Sequence, residues 1–160
     1  MRTTRSFPVL LLAVLFAHPA FAATANVEFE KPESFTDAGR KFPAAARLES
    51  LPFLREHLVK EAADRLPADQ VLSIWITDVD LAGQYEPGGH RDVRIVKEIY
   101  PPRIELRFRL TRADGSTVKE GARMLRDSGF LSSGGPVDRT DNLRYEKVML
   151  DRWLEEEFRR

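Results

Sequence analysis

The stretch Arg103–Thr111, RIELRFRLT, determines how the rest of the chain is interpreted. Apolar and charged residues alternate along it, as in a β-strand with one buried face and one face in water. The apolar positions are Ile104, Leu106, Phe108 and Leu110. The charged positions are Arg103, Glu105, Arg107 and Arg109. We therefore predict a sheet that is covered on one side only at this strand.

The residues that follow predict a β-hairpin. Asp114-Gly115 is a turn signal, and Thr117–Leu125 is the returning strand. A two-residue loop would pair Leu110 with Lys119, whereas a three-residue loop pairs Leu110 with Val118 and places Gly115 in the left-handed position of a bulge. We favour the three-residue loop because it adds two further apolar residues to the buried face, Ala122 and Met124.

Working outward, the spacing of apolar residues predicts five more elements. Strands are expected at Asn26–Glu30, Val71–Val79 and Val93–Ile99, and helices at Ser50–Leu66 and from Asp141 to Phe158. Val71–Val79 is apolar on both faces, which is typical of a central strand covered on both sides. The predicted fold class is α+β: a small, mainly antiparallel sheet with two packing helices, in the order β-α-β-(β)-β-β-α.

The first 22 residues have the features of a cleavable export signal. Arg2 and Arg5 precede the apolar run Val9–Ala17, and Ala20-Phe21-Ala22 supplies small residues before a cut after Ala22. The run is about half the length of a membrane-spanning helix. We therefore expect a signal peptide at residues 1–22, a single globular domain at residues 23–160, and a periplasmic location. The chain has no cysteine, which excludes disulfides and a lipoprotein anchor.

Composition and motifs exclude several classes of function. Loss of Arg2 and Arg5 from 25 basic residues leaves 23 against 25 acidic ones, a charge of −2 that argues against a nucleic-acid binder. The two remaining histidines, His57 and His90, do not have the spacing of a zinc hydrolase, and no phosphate-binding or nucleophile-elbow motif is present. We expect no catalytic set, no metal ligands and no cofactor, and we interpret His57 as a structural or surface histidine.

An acidic segment where a strand runs into a Gly/Pro-rich loop is one candidate site. Asp78 and Asp80, two residues apart, would project to the same side of the strand, with Glu86 nearby, and could share a cation or a proton. Ala82 and Gly89 stand where a calcium-binding loop would need ligands, so the match to such a loop is partial. The alternative interpretation, which we favour, is that the aspartates accept hydrogen bonds from backbone N–H groups at the turn.

A basic face on the hairpin is the second candidate site. Its members are the arginines and the lysine expected around Glu105: Arg103, Arg107, Arg109, Lys119 and Arg123. Such a face could bind an acidic lipid head group, a glycan or a protein. It could equally be an ordinary solvated surface.

Four runs of sequence resemble the proteobacterial family catalogued as domain of unknown function 3016. They are Thr77–Gln84 (TDVDLAGQ), Asp92–Leu106 (DVRIVKEIYPPRIEL), the DG turn followed by GARMLRD, and Leu143–Phe158 (LRYEK..LDRW...F). The resemblance implies a small secreted domain to which no activity, cofactor or catalytic residue is assigned.

These observations leave two hypotheses for function. The first is a non-catalytic periplasmic or envelope domain that binds a protein or an envelope ligand, with Arg103, Arg107 and Arg109 on its surface. The second is a metal-assisted enzyme that uses Asp78, Asp80 and Glu86, with His90 as a further candidate. The requirement for a stoichiometric cation distinguishes the second from the first.

Overall fold

The computed structural model describes residues 24–37, 50–86, 93–132 and 140–159, with no side-chain description at residues 85, 86 and 93. The predicted signal peptide and His90 lie outside the described residues. The strands are β1 (Thr24–Phe29), β2 (Gln70–Asp80), β3 (Gln84–Glu86), β4 (Val93–Ile95), β5 (Arg103–Arg112) and β6 (Thr117–Arg126). The helices are α1 (Ser50–Arg65) and α2 (Arg144–Phe158), and a short 3-10 turn covers Pro32–Ser34.

The main sheet has four strands in the order β1-β2-β5-β6. β1 runs parallel to β2, and the other two pairings are antiparallel. The predicted fold class, α+β with a mainly antiparallel sheet and two helices, is confirmed. The strand expected at Val93–Ile99 is shorter than predicted: β4 pairs only with β3, in a separate two-stranded ribbon.

The hydrophobic core lies between the two helices and one face of the sheet. The helix α1 packs on β1 and on α2, and α2 also contacts β6. Burial of Leu54, Leu58 and Ala62 on α1 follows their spacing of four residues, which puts them on one side of the helix. The rings of Phe108 and Trp153 meet edge to face at 5.7 Å. Neither helix is long and apolar enough to span a membrane, as far as the structure describes the chain.

The second face of β2 is more open than predicted. Leu72, Ile74 and Ile76 are fully buried, but Ser73 and Trp75, which point the other way, are only half-buried. In the part of the chain that the structure describes, both helices pack on the first face and no second layer covers the other. We call the opposite side of the sheet the open face.

The hairpin confirms the predicted loop but contradicts the predicted pairing. Gly115 has φ +83°, and the Arg112 N–H donates to Ser116 O across a three-residue loop. The ladder then skips Val118, so that Leu110 faces Lys119 and not Val118. Ala122 and Met124 consequently lie on the open face, where Met124 is 67% exposed.

Gly121 supplies the physical reason for the observed register. It lies opposite Phe108, and a Cβ at this position would be 3.2 Å from Phe108 Cε1. The ring of Phe108 packs over this gap against Trp153 and Phe158. The predicted register would have put the charged Glu120 opposite Phe108 on the core side, so a bulge at Val118 is the more favourable arrangement.

Candidate functional site

A cleft of about 300 Å³ opens where β2 ends and β5 begins. Asp80, Arg103 and Arg126 line it and are paired across β2, β5 and β6 as one row of the open face. Other segments contribute further lining residues, among them Asp37, Gln84, Ile99 and Tyr100. Residues far apart in the chain therefore meet at this cleft, and two of them, Asp80 and Arg103, were predicted as site residues.

The wall of the cleft is held by hydrogen bonds of the chain after β2. The Leu81 N–H donates to Asp37 Oδ2 at 2.6 Å, and the Asp37 N–H donates to Val79 O at 3.1 Å. Gly83 has φ +89° and donates its N–H to Tyr100 O. A Cβ on Gly83 would lie 2.7 Å from Ile95 O, so only glycine fits this crossing of two backbones.

Asp78 organises the structure next to the cleft. Its carboxylate accepts hydrogen bonds from the Thr36 N–H at 2.7 Å, from Thr36 Oγ1 at 2.8 Å and from Arg103 Nη2 at 2.8 Å. Both carboxylate oxygens therefore have partners within the protein. Asp78 accepts a backbone N–H group, as expected, but this group belongs to Thr36, 42 residues away in sequence, and not to the turn that follows β2.

The negative charge of Asp80 is less well neutralised by neighbouring groups than that of Asp78. Its nearest cation is Arg103, with Nε at 3.7 Å from Oδ2, and Arg103 is shared with Asp78 and Glu105. Burial raises the pKa of Asp80, the charge of Asp78 raises it further, and Arg103 and Arg126 offset these effects only in part. The surroundings of Asp80 in the cleft therefore destabilise the ionised form of its carboxyl group.

The described residues do not assemble the predicted acidic metal site. Asp78 and Asp80 belong to no group of three potential metal ligands in the part of the chain that the structure describes. The Glu86 backbone ends β3, but its side chain, like His90, lies outside the description. A site that uses Asp78, Asp80 and Glu86 therefore stays a prediction.

The predicted basic face is divided between the two sides of the sheet. Arg107 pairs with Glu30 and Arg109 pairs with Glu120 on the open face, so their charges are balanced by adjacent carboxylates. The expectation that Lys119 and Arg123 join them was wrong. Because of the skipped Val118, both reach over the opposite face and pair with Glu157.

A buried ion pair that was not predicted from the sequence lies behind the cleft. Glu146, in the first turn of α2, is fully buried, and its Oε1 accepts a hydrogen bond from Arg94 Nη2 at 2.8 Å. The same oxygen accepts the Ala82 N–H at 2.7 Å, while Arg94 Nε donates to Ala82 O. The only signal in the sequence was that both residues fall within the runs that resemble the family.

Comparison with known proteins identifies a family but no function. The sequence matches the family described as "Protein of unknown function (DUF3016)" over residues 23–156. No curated protein matches it. Among solved structures, the chain is similar to the dodecamer of a PelC point variant from Paraburkholderia phytofirmans, with a TM-score of 0.37 and 13% identity over 86% of each chain.

Proposed function

Since the chain belongs to the DUF3016 family, whose description assigns no function, we propose from the site itself that it is a non-catalytic binding domain. In this proposal the domain works in the periplasm and holds a segment of a partner protein in the cleft at Asp80. The observation that carries the proposal is that Asp80 lies in an open cleft where nearby arginines only partly neutralise its charge. Ionisable groups with perturbed pKa values in clefts are characteristic of functional sites.

The chemistry of the cleft favours a polypeptide as the ligand. Asp80 would be stabilised by a cationic or N–H group of the ligand. The side chain of Arg126 makes no hydrogen bond or ion pair with residues that the structure describes, although its charge acts on Asp80, and it can donate to a carbonyl or a carboxylate. Ile99, at the same cleft, is 72% exposed and offers an apolar contact. A protein segment supplies all three kinds of group together.

A purely acidic ligand fits this surface less well. Arg107 and Arg109, which sequence reasoning offered for an acidic head group or glycan, already have carboxylate partners on the open face. An acidic ligand would have to displace Glu30 or Glu120, and it would meet Asp37 and Asp80 at the cleft. In our proposal the binding surface is therefore at Arg103 and Arg126 rather than at Arg107 and Arg109.

Binding is better supported than catalysis by the lining of the cleft. The described residues that form it include no serine, histidine or lysine. Asp37 and Tyr100 are the lining residues beside Asp80 that could transfer a proton, and Asp37 Oδ2 already accepts the Leu81 N–H at 2.6 Å. No observation in the described residues favours the metal-assisted enzyme over the binding domain.

The periplasmic location rests on the leader predicted at residues 1–22. The family match begins at residue 23, directly after the predicted cut, which is consistent with a leader that is separate from the domain. The absence of cysteine is compatible with an oxidising compartment, because there is no thiol to mispair.

Photo-crosslinking in intact cells tests the proposal. A benzophenone amino acid is placed at position 99, which lines the cleft, and separately at position 53, an exposed apolar position on α1 outside it. We expect a discrete protein adduct from position 99 and none from position 53. Equal adducts at both positions, a lipid or glycan adduct at position 99, or no adduct there would contradict a protein-binding cleft.

A further inference from the structure

A second cluster of polar groups lies where the two helices meet, away from the cleft. His57 and Glu61 are one turn apart on α1, and Asp151 lies opposite them on α2. His57 Nε2 is 2.7 Å from Asp151 Oδ1. One potential ligand atom from each of the three residues lies within 4.8 Å of the other two.

We propose that His57, Glu61 and Asp151 form a binding site for a divalent transition metal, of which zinc is the best match. One imidazole nitrogen and two carboxylate oxygens are a ligand set that zinc accepts, and three protein ligands leave a coordination position open. Ligands four residues apart on a helix present their side chains to the same side. Two helices packed on a shared core hold the third ligand in place.

The degree of burial suits a metal ion. The side chains of His57, Glu61 and Asp151 are 15%, 17% and 29% exposed. They are therefore shielded enough to strengthen the attraction of a cation and open enough to admit one from solvent. The helix pair gains a link between α1 and α2 when the ion is bound.

Glu61 already has cationic partners within the protein. Arg65 Nη1 donates a hydrogen bond to Glu61 Oε2, one turn away on the same helix. Lys60 also pairs with Glu61, but it is 69% exposed and such surface pairs contribute little. A metal ion therefore has to compete mainly with Arg65.

The competing interpretation is that His57 and Asp151 only form a hydrogen bond between helices. Ligand atoms around a tetrahedral zinc are about 3.3 Å apart, given bonds of about 2.0 Å. The 2.7 Å contact would have to lengthen by about 0.6 Å, which rotations of the Asp151 and Glu61 side chains can supply. Metal titration separates the two interpretations.

Cobalt(II) and zinc(II) titrations of the full chain without an affinity tag test the site. Cobalt should produce visible absorption bands that saturate at one ion per chain and that zinc removes. His57→Gln and Asp151→Asn should each weaken binding at least tenfold. Asp64→Asn should bind like wild type, because this acid lies on the same helix outside the cluster.

Circular dichroism spectra show whether each variant is folded, and His57→Gln and Asp151→Asn provide independent tests if one of them is not. No saturable cobalt signal in the wild type would overturn the proposal. A signal that survives in a folded His57→Gln or Asp151→Asn variant would overturn it as well, since the ion would then be bound elsewhere in the chain.

Discussion

The guanidinium group of Arg94 and the fully buried carboxylate of Glu146 hold both backbone polar groups of Ala82 between them. Glu146 Oε1 accepts from the Ala82 N–H at 2.7 Å and from Arg94 Nη2 at 2.8 Å, and Arg94 Nε donates to Ala82 O. This arrangement fixes the chain after β2 to the first turn of α2. Since Leu81 and Gly83 on either side of Ala82 line the cleft, the ion pair also fixes one wall of the cleft.

Replacing Arg94 by Met should therefore be strongly destabilising. The substitution leaves Glu146 buried without its cation, and breaking a buried ion pair in this way typically costs about 3 to 5 kcal/mol. Arg109→Met is the matched control, because Arg109 and Glu120 form an exposed pair that should contribute about 0 to 1 kcal/mol. Urea unfolding of both variants measures the difference, and equal losses would contradict the assigned role of the buried pair.

Asp78 should contribute to stability and not to metal binding. Asp78→Asn weakens charge-assisted hydrogen bonds with Thr36 and Arg103, for which a loss of about 1.5 to 3 kcal/mol is expected. Calcium and magnesium should leave the melting temperatures of the wild type and of Asp78→Asn unchanged. A metal-dependent rise that disappears in Asp80→Asn would instead support the metal site at Asp78, Asp80 and Glu86.

Asp80→Asn, unlike Asp78→Asn, should not destabilise the protein at neutral pH. The pKa of Asp80 is raised in the folded protein, so the folded state disfavours its ionised form, and wild-type stability is lost as pH rises through that pKa. At neutral pH the Asn variant should be as stable as the wild type or more stable. This relative gain should shrink as pH falls toward the ordinary carboxyl pKa of about 3.9. A variant clearly less stable at pH 7 would show that Asp80 is a structural residue.

The register of the hairpin can be tested with two neighbouring residues. Gly121→Val adds a side chain against Phe108 and should cost about 1 to 3 kcal/mol by overpacking the core side. Ala122→Val adds fewer atoms, on the open face, and should change stability by less than about 0.5 kcal/mol. The register predicted from sequence reverses this order, so unfolding experiments on the pair distinguish the two registers.

Export can be measured directly. Protein recovered from the periplasmic fraction should begin at Ala23, because cleavage after Ala22 best satisfies the preference for small residues before the cut. Intact mass measurement identifies the N-terminus. Periplasmic material that still begins at Met1, or protein found only in the cytoplasm, would remove the basis for a periplasmic role.

Local patterns were sufficient for most of the fold. The alternation in β5 correctly predicted that Leu106, Phe108 and Leu110 are buried, and the four-residue spacing gave the extent of α1 to within one residue. The register of β6 could not be obtained in the same way. It depends on the room that Gly121 leaves for Phe108, which is a contact between strands and α2 rather than a pattern within one strand.

The candidate site was predictable only in part, and for a similar reason. Asp80 was predicted in the acidic segment after a strand, and Arg103 was predicted on the basic face of the hairpin. The other charged residues of the cleft, Asp37 and Arg126, come from other segments of the chain. Arg94 and Glu146 are 52 residues apart, and nothing in the sequence around either one marks it as buried. A charged residue usually indicates an exposed position, so sequence reasoning does not find a buried pair.

The most direct test of the proposed binding cleft is the yield of the protein adduct formed from position 99 when Asp80 is altered. The yield should fall at least tenfold in Asp80→Asn, because the variant lacks the carboxylate that pairs with the ligand. The fold of the variant should be at least as stable as that of the wild type. Arg109→Gln, which changes a charge on the open face outside the cleft, should leave the yield within about twofold of wild type. An adduct yield that is unchanged in a folded Asp80→Asn protein would contradict binding through this cleft.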